Sequence, residues 1–258
     1  YQSEVVLHMA PSRGGDWIRG GPCLASIIRV ALATSIFEFV ADARGSEVLE
    51  ESWSFNLTER LQFFRQRLDF APRHIVDVGA HIGDWTTLAR DVYPEAKFLM
   101  VEADSRHANA LGSTGLPFEI ALLASKPNVS TIFHTTRYWI TTGASLFRER
   151  TSLYQDPNIA LPVARRTSTL DEIVTHWFGD PTSSGCCDFI KADVQGAEVE
   201  VLKGGEKTLR NAKLVLLEAS LLPYNEGAPR FSELVAFMAD RGFEVVDIAD
   251  AMPCEGAR

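Results

Sequence analysis

Apolar positions along the chain fall into two kinds of run. Near-continuous β-branched or leucine-rich stretches of five to seven residues read as strands buried on both faces. They occur at His74–Val78, Lys97–Val101, Phe118–Ala124, Asp188–Asp193, Leu214–Glu218 and Phe243–Ile248. Between them, apolar residues recur at three- and four-residue intervals and predict helices. These cover Asp84–Tyr93, stopped by Pro94; Thr169–Phe178, with Thr169 as N-cap and Asp171 and Glu172 in the first turn; Gln195 to about Leu209; and Phe231–Arg241, closed by Gly242. Strand and helix alternate, so the expected fold is α/β, a mostly parallel central sheet with helices on both faces.

The first seventy residues differ. Residues 1 to about 21 are rich in glycine and polar residues without a sustained period and read as an irregular arm. Leu24, Ile27, Ile28, Ala31, Leu32, Ile36, Phe39 and Val40 then predict an amphipathic helix, and Leu49, Trp53, Leu57, Leu61, Phe64 and Leu68 a second one over Glu47–Leu68, ending before Pro72. The first packs on its own subunit, or forms a homodimer contact or a substrate cover. At 17 residues, with Arg29 and Glu38 inside, Leu24–Val40 is a poor membrane span. The division is therefore an N-terminal arm and helical extension over 1–70 and a main domain over 71–258. An insertion at about 126–167 with short β patterns (Val129–His134, Leu161–Val163) is expected to shape a substrate pocket.

Composition narrows the partners. A chain of 258 residues with 46% hydrophobic content suits one large α/β domain. A formal charge of −9 argues against a nucleic-acid partner, whose phosphates are bound by lysine and arginine. Cys23, Cys186, Cys187 and Cys254 lack metal-ligand spacing and read as reduced structural thiols, so a cytoplasmic location is expected.

Candidate chemistry gathers at two strand ends. After His74–Val78 the chain turns through Gly79-Ala80-His81-Ile82-Gly83 into a helix, a βα corner whose backbone N–H groups can face an adenosine cofactor. Asp77-x-Gly79-x-x-x-Gly83 departs from the dinucleotide spacing Gly-x-Gly-x-x-Gly and follows the acid-x-Gly-x-Gly-x-Gly pattern of S-adenosylmethionine (SAM) sites, with His81 in place of the middle glycine. Glu102, at the end of the second strand of this domain, stands where a carboxylate accepts hydrogen bonds from ribose hydroxyls, or else is a solvated strand end. Asp193 ends a buried strand at the edge where open α/β sheets bind ligands, and Gln195-Gly196-Ala197-Glu198 follows it. His8, His74, His107, His134 and His176 are scattered and are not nominated.

With Val76–Gly83, Ala144-Ser145-Leu146, Thr169-Leu170-Asp171, Asp193-Val194-Gln195-Gly196-Ala197-Glu198 and Tyr224-Asn225-Glu226-Gly227 in hand, the chain resembles the FkbM family of SAM-dependent methyltransferases over about Ile75–Ile248. The resemblance implies a Rossmann-like class I methyltransferase fold and O-methylation, often of a sugar or glycan hydroxyl or of a natural product, with SAM as donor and S-adenosylhomocysteine as product. Asp193 is then the first candidate for general base or acceptor-orienting group, with Gln195, Glu198, Glu218 and Tyr224 as neighbours. Asp77, Gly79, Ala80, His81, Gly83, Asp84, Trp85, Glu102 and Ala103 are the candidate cofactor contacts. Glu198 is equally read as a helix-dipole acid. Carboxylates such as Asp193 and Glu218 can also hold a divalent cation, which is not the expectation. An NAD(P)-dependent oxidoreductase and a SAM-binding protein without activity are the alternatives. Family members commonly add a further strand after the one at Phe243, and no such run follows here.

Overall fold

The computed structural model describes residues 4–11, 57–138, 142–183 and 186–251. The helix predicted over Leu24–Val40, the first part of the helix predicted over Glu47–Leu68, and any dimer contact through them lie outside the described residues, as do Cys23 and Cys254. In chain order the elements are β1 (Glu4–Pro11), α1 (Leu57–Arg67), β2 (His74–Val78), α2 (Asp84–Val92), β3 (Lys97–Glu102), α3 (Ala108–Ser113), β4 (Phe118–Ile120), β5 (Leu122–Leu123) and β6 (Ser130–Thr136). They continue with α4 (Ser152–Gln155), β7 (Ala160–Ser168), α5 (Leu170–Phe178), β8 (Phe189–Ala192), α6 (Glu198–Lys203), α7 (Glu206–Asn211), β9 (Leu214–Ser220), α8 (Phe231–Ala239) and β10 (Phe243–Ala251).

Seven strands form one sheet in the order β10-β1-β9-β8-β2-β3-β4. Every pairing from β9 to β4 is parallel, and β1 runs antiparallel to both of its neighbours. The strands that end near Asp77 and Asp193 are adjacent, as the shared crevice requires, with Asp77 opposite Lys191 in register. Alternate residues divide the core between two faces, because successive side chains on a strand point oppositely. Val76, Leu99 and Ile190 pack with Leu170, Val174, Leu202, Leu209 and Met238 of the helices from α5 onward. Ile75, Phe98 and Phe189 pack with Leu61, Phe64, Ala89 and Val92 of α1 and α2. A fully buried leucine or phenylalanine here contributes about 1.5–3 kcal/mol.

The reading of the first 21 residues as an irregular arm is corrected for Glu4–Pro11. This segment is β1, and it fills the slot between β9 and β10. His8 interrupts the apolar run Val5–Ala10 and concealed the strand, yet His8 is fully buried. Its Nδ1 is 3.4 Å from Asp247 Oδ2 and its ring lies 4.7 Å from that of Phe64. Among the described residues, β1 brings the sheet to seven strands.

Two other boundaries move. Phe118–Ala124 divides at Ala121, and β5 leaves to join a three-stranded sheet in the order β5-β7-β6, the architecture of the insertion. The single helix expected up to Leu209 divides at Gly204-Gly205. A Cβ on Gly204 would lie 2.1 Å from the Ala124 carbonyl oxygen, and one on Gly205 2.6 Å from Leu170 Cδ2, so close approach of neighbouring elements demands glycine there. Thr169 and Glu172 form the reciprocal capping box that starts α5.

Candidate active site

Where β2, β3, β8 and β9 end, the chain encloses a cavity of about 440 Å³. One wall is the turn after β2. Gly79 (φ 77°) and His81 (φ 51°) take left-handed conformations, and the N–H groups of Gly79 and Ala80 donate to the Val101 carbonyl at 2.9 and 3.1 Å. Gly79 is pressed against the chain after β8 so closely that a Cβ would lie 1.8 Å from the Asp193 carbonyl oxygen. At the tip of β3, the Glu102 carboxylate accepts the N–H of His81 at 2.8 Å and of Asp104 at 2.7 Å. Burial raises the pKa of Glu102 despite these two bonds. Each oxygen keeps a second acceptor site for a ligand.

The opposite wall follows β8. Gln195 (φ 55°) and Gly196 (φ 91°) make a left-handed pair that turns the chain back, and Gln195 Nε2 lies 3.3 Å from Asp193 Oδ1 and 2.5 Å from Glu218 Oε2. The Asp193 side chain is 38% exposed and lines the cavity. Burial opposes its charge, but the Lys191 ammonium and the hydrogen bond from the Gln195 amide outweigh that and hold the carboxyl below the usual aspartate range. The insertion closes the cavity with Phe133, Thr142, Ala144, Ser145 and Leu146. Two tethers hold it. Ser145 Oγ donates to the Val194 carbonyl at 2.9 Å, and Arg106, paired with Asp104, donates to the carbonyls of Thr136 and Tyr138 at 2.8 Å.

The family model for the FkbM methyltransferase domain matches residues 77–245, from the acid of the glycine turn to the third residue of β10. This chain belongs to the FkbM methyltransferase family. Comparison with curated proteins and with solved structures returned no match. The match covers both walls of the cavity and the insertion between them, so the transferase machinery of an FkbM methyltransferase is to be sought there.

In this methyltransferase the candidate residues separate into groups. Gly79, His81, Glu102, Ala103, Asp193, Gln195 and Glu218 line the cavity. Asp77, Ala80 and Gly83 lie behind it: Asp77 is fully buried and accepts from Thr86 Oγ1 at 2.6 Å, and Gly83 (φ 90°) caps α2 against Thr114 and Met100. Asp84 is exposed in the first turn of α2, and Trp85 packs edge-on against Phe189 at 5.7 Å, with Nε1 buried and without a hydrogen-bond partner among the described residues. Glu198 is buried beneath the β8 turn, where its Oε1 accepts the N–H of Val194 at 3.0 Å and of Gly196 at 3.2 Å; burial pushes its carboxyl up to about 7. Tyr224 is part of the loop on the far side of that turn, where its carbonyl accepts the Arg150 N–H at 3.0 Å.

Sequence reading missed Lys191. Its ammonium is buried 3.0 Å from Asp77 Oδ1 and 3.3 Å from Asp193 Oδ2, and donates to the Gly79 carbonyl at 3.1 Å. The signal was a lysine in the middle of an apolar strand, two residues from an aspartate and hence on the same face. Leu122, Leu123 and Phe133 supply apolar wall and carried no motif. Among the described residues no group of three or more His, Cys, Asp or Glu side chains is gathered as metal ligands would be, and no helix is long and apolar enough to cross a membrane.

Proposed function

We propose that this methyltransferase uses SAM to methylate a hydroxyl of a sugar, glycan or natural product. The observation that carries the reading is one cavity with the Gly79–His81 turn and Glu102 on one wall and Asp193 with Glu218 on the other. The residues fit the cofactor chemically. Glu102 has acceptor capacity left for ribose hydroxyls, Ala103, Leu122 and Leu123 offer apolar surface to an adenine, and Glu218 suits a cationic sulfonium. When bound, SAM supplies an electrophilic methyl group on sulfur. The strand order, with the crevice at the β2/β8 boundary, supports a Rossmann-like class I domain over 71–258, to which β1 adds a strand from the N-terminal segment. The free, buried thiols of Cys186 and Cys187 support a reducing, cytoplasmic setting.

Asp193 orients the acceptor hydroxyl and takes its proton. With its proton passing to Asp193, the hydroxyl oxygen would be free to attack a methyl group that a bound sulfonium would supply. The Gln195 amide, which donates to both Asp193 and Glu218, holds Asp193 in place at the wall. Glu198 keeps the turn after β8 in shape from behind. The test has two parts. SAM and S-adenosylhomocysteine, but not NADH, should raise the melting temperature, and labelled methyl should pass from SAM to a member of a panel of glycans and polyols. Asp193→Asn should then cut turnover by about 10²–10⁴-fold with SAM affinity nearly unchanged. Stabilisation by NADH alone would overturn the cofactor reading, and full turnover in Asp193→Asn would overturn the role of Asp193.

A further inference from the structure

We propose that Lys191 is a positioning residue for the transfer: from beneath the glycine turn it fixes the Asp193 carboxylate at the cavity wall and ties it to the cofactor side through Gly79 and Asp77. This rests on the role given to Asp193 above. Lys191 lies in mid-strand with its side chain 6% exposed, and it contributes nothing to the cavity lining. An ammonium has three hydrogens to donate, and three oxygens surround this one: Asp77 Oδ1 at 3.0 Å, the Gly79 carbonyl at 3.1 Å and Asp193 Oδ2 at 3.3 Å. Those oxygens belong to β2, to the turn that follows it, and to the end of β8. One cation therefore sets the spacing between the two walls at the point where Gly79 and Asp193 touch most closely.

Charge leads to the same role. Among the described residues, the charged or titratable groups around Asp193 besides Lys191 are Asp77 from β2, Glu218 from β9, Glu198 from the start of α6 and His81 from the glycine turn. Three are acids, and burial keeps His81 toward its neutral form. Without Lys191, the Asp193 carboxyl would keep the burial that opposes its charge and lose the ammonium at 3.3 Å that offsets it, which favours its protonated, non-basic form. A lysine that merely balanced buried charge would be replaceable by any change that restores the balance.

The experiment compares the wild type with Lys191→Met and with the double variant Asp77→Asn/Lys191→Met, which removes one charge of each sign. Melting temperature, SAM affinity by calorimetry, and turnover at saturating SAM are followed between about pH 5 and pH 9. The wild type should show no acid-side loss of turnover in that range. Lys191→Met should develop an acid limb and lose about ten-fold or more in turnover at neutral pH, regaining rate as pH rises. The double variant should recover melting temperature but keep the acid limb. A wild-type profile in either folded variant overturns the proposal, and so does an acid limb inside that range in the wild type. Asp193→Asn is run alongside. Undiminished turnover there removes the reading of Asp193 on which this rests, whereas its collapse beside wild-type profiles in the lysine variants overturns the role of Lys191 alone.

Discussion

Gly79→Ala tests how tightly the two walls of the cavity are coupled. Gly79 has φ 77°, where an L-alanine costs about 1–2 kcal/mol, and its Cβ would stand 1.8 Å from the Asp193 carbonyl oxygen. Gly115 provides the control. It has φ 72°, but a Cβ there meets no atom within 4 Å, so Gly115→Ala carries the conformational cost without the collision. At about 2–4 °C per kcal/mol for a domain of this size, Gly115→Ala should lower the melting temperature by roughly 2–8 °C and leave turnover alone. In Gly79→Ala the glycine turn and the Asp193 carbonyl must part by more than an ångström to reach even the closest contact that carbon and oxygen sustain. A displacement of that order between donor site and base costs roughly 10²-fold in rate. Melting curves, SAM calorimetry and turnover on the two variants make the comparison. If Gly79→Ala matches Gly115→Ala in all three, the turn and Asp193 are not a coupled unit.

Two other expectations follow from the carboxylates. Glu102→Ala removes the acceptor of the His81 and Asp104 N–H groups, each worth about 1–3 kcal/mol if left buried and unpaired, as well as the ribose contact, so SAM should bind ten-fold or more weakly; unchanged affinity by calorimetry would take Glu102 out of the site. Glu198 is pushed from its ordinary 4.5 up to about 7, so the folded protein binds this proton more tightly than the unfolded chain, and stability is lost as pH rises from about 4.5 through about 7. Glu198→Gln can accept the same two N–H bonds without a charge and should melt higher than the wild type above about pH 7, with the gap closing in acid. A gap that widens toward acid would show the sign to be wrong.

Much of the fold was written in local chemistry. A buried parallel strand needs a continuous apolar run, and a turn into left-handed φ selects glycine or a tolerant residue, so β2, β3, β8, β9 and the turns at Gly79 and Gly196 were readable one window at a time. The same holds for Glu102 and Asp193, which stand at strand ends because the strands before them end there. Tertiary structure decided whatever depends on a partner far along the chain. β1 was invisible because His8 breaks its pattern, and a buried histidine becomes acceptable only beside Asp247 and Phe64, elements more than fifty residues away. Glu198 and Asp193 belong to one motif, yet one turns under the backbone and the other toward the cavity, a distinction set by the left-handed pair between them rather than by residue type. Lys191 reads as a misplaced charge until Asp77 and the Gly79 carbonyl arrive from the neighbouring strand. A buried ammonium is tolerated only with such partners, and only pairing of β2 with β8 brings them together.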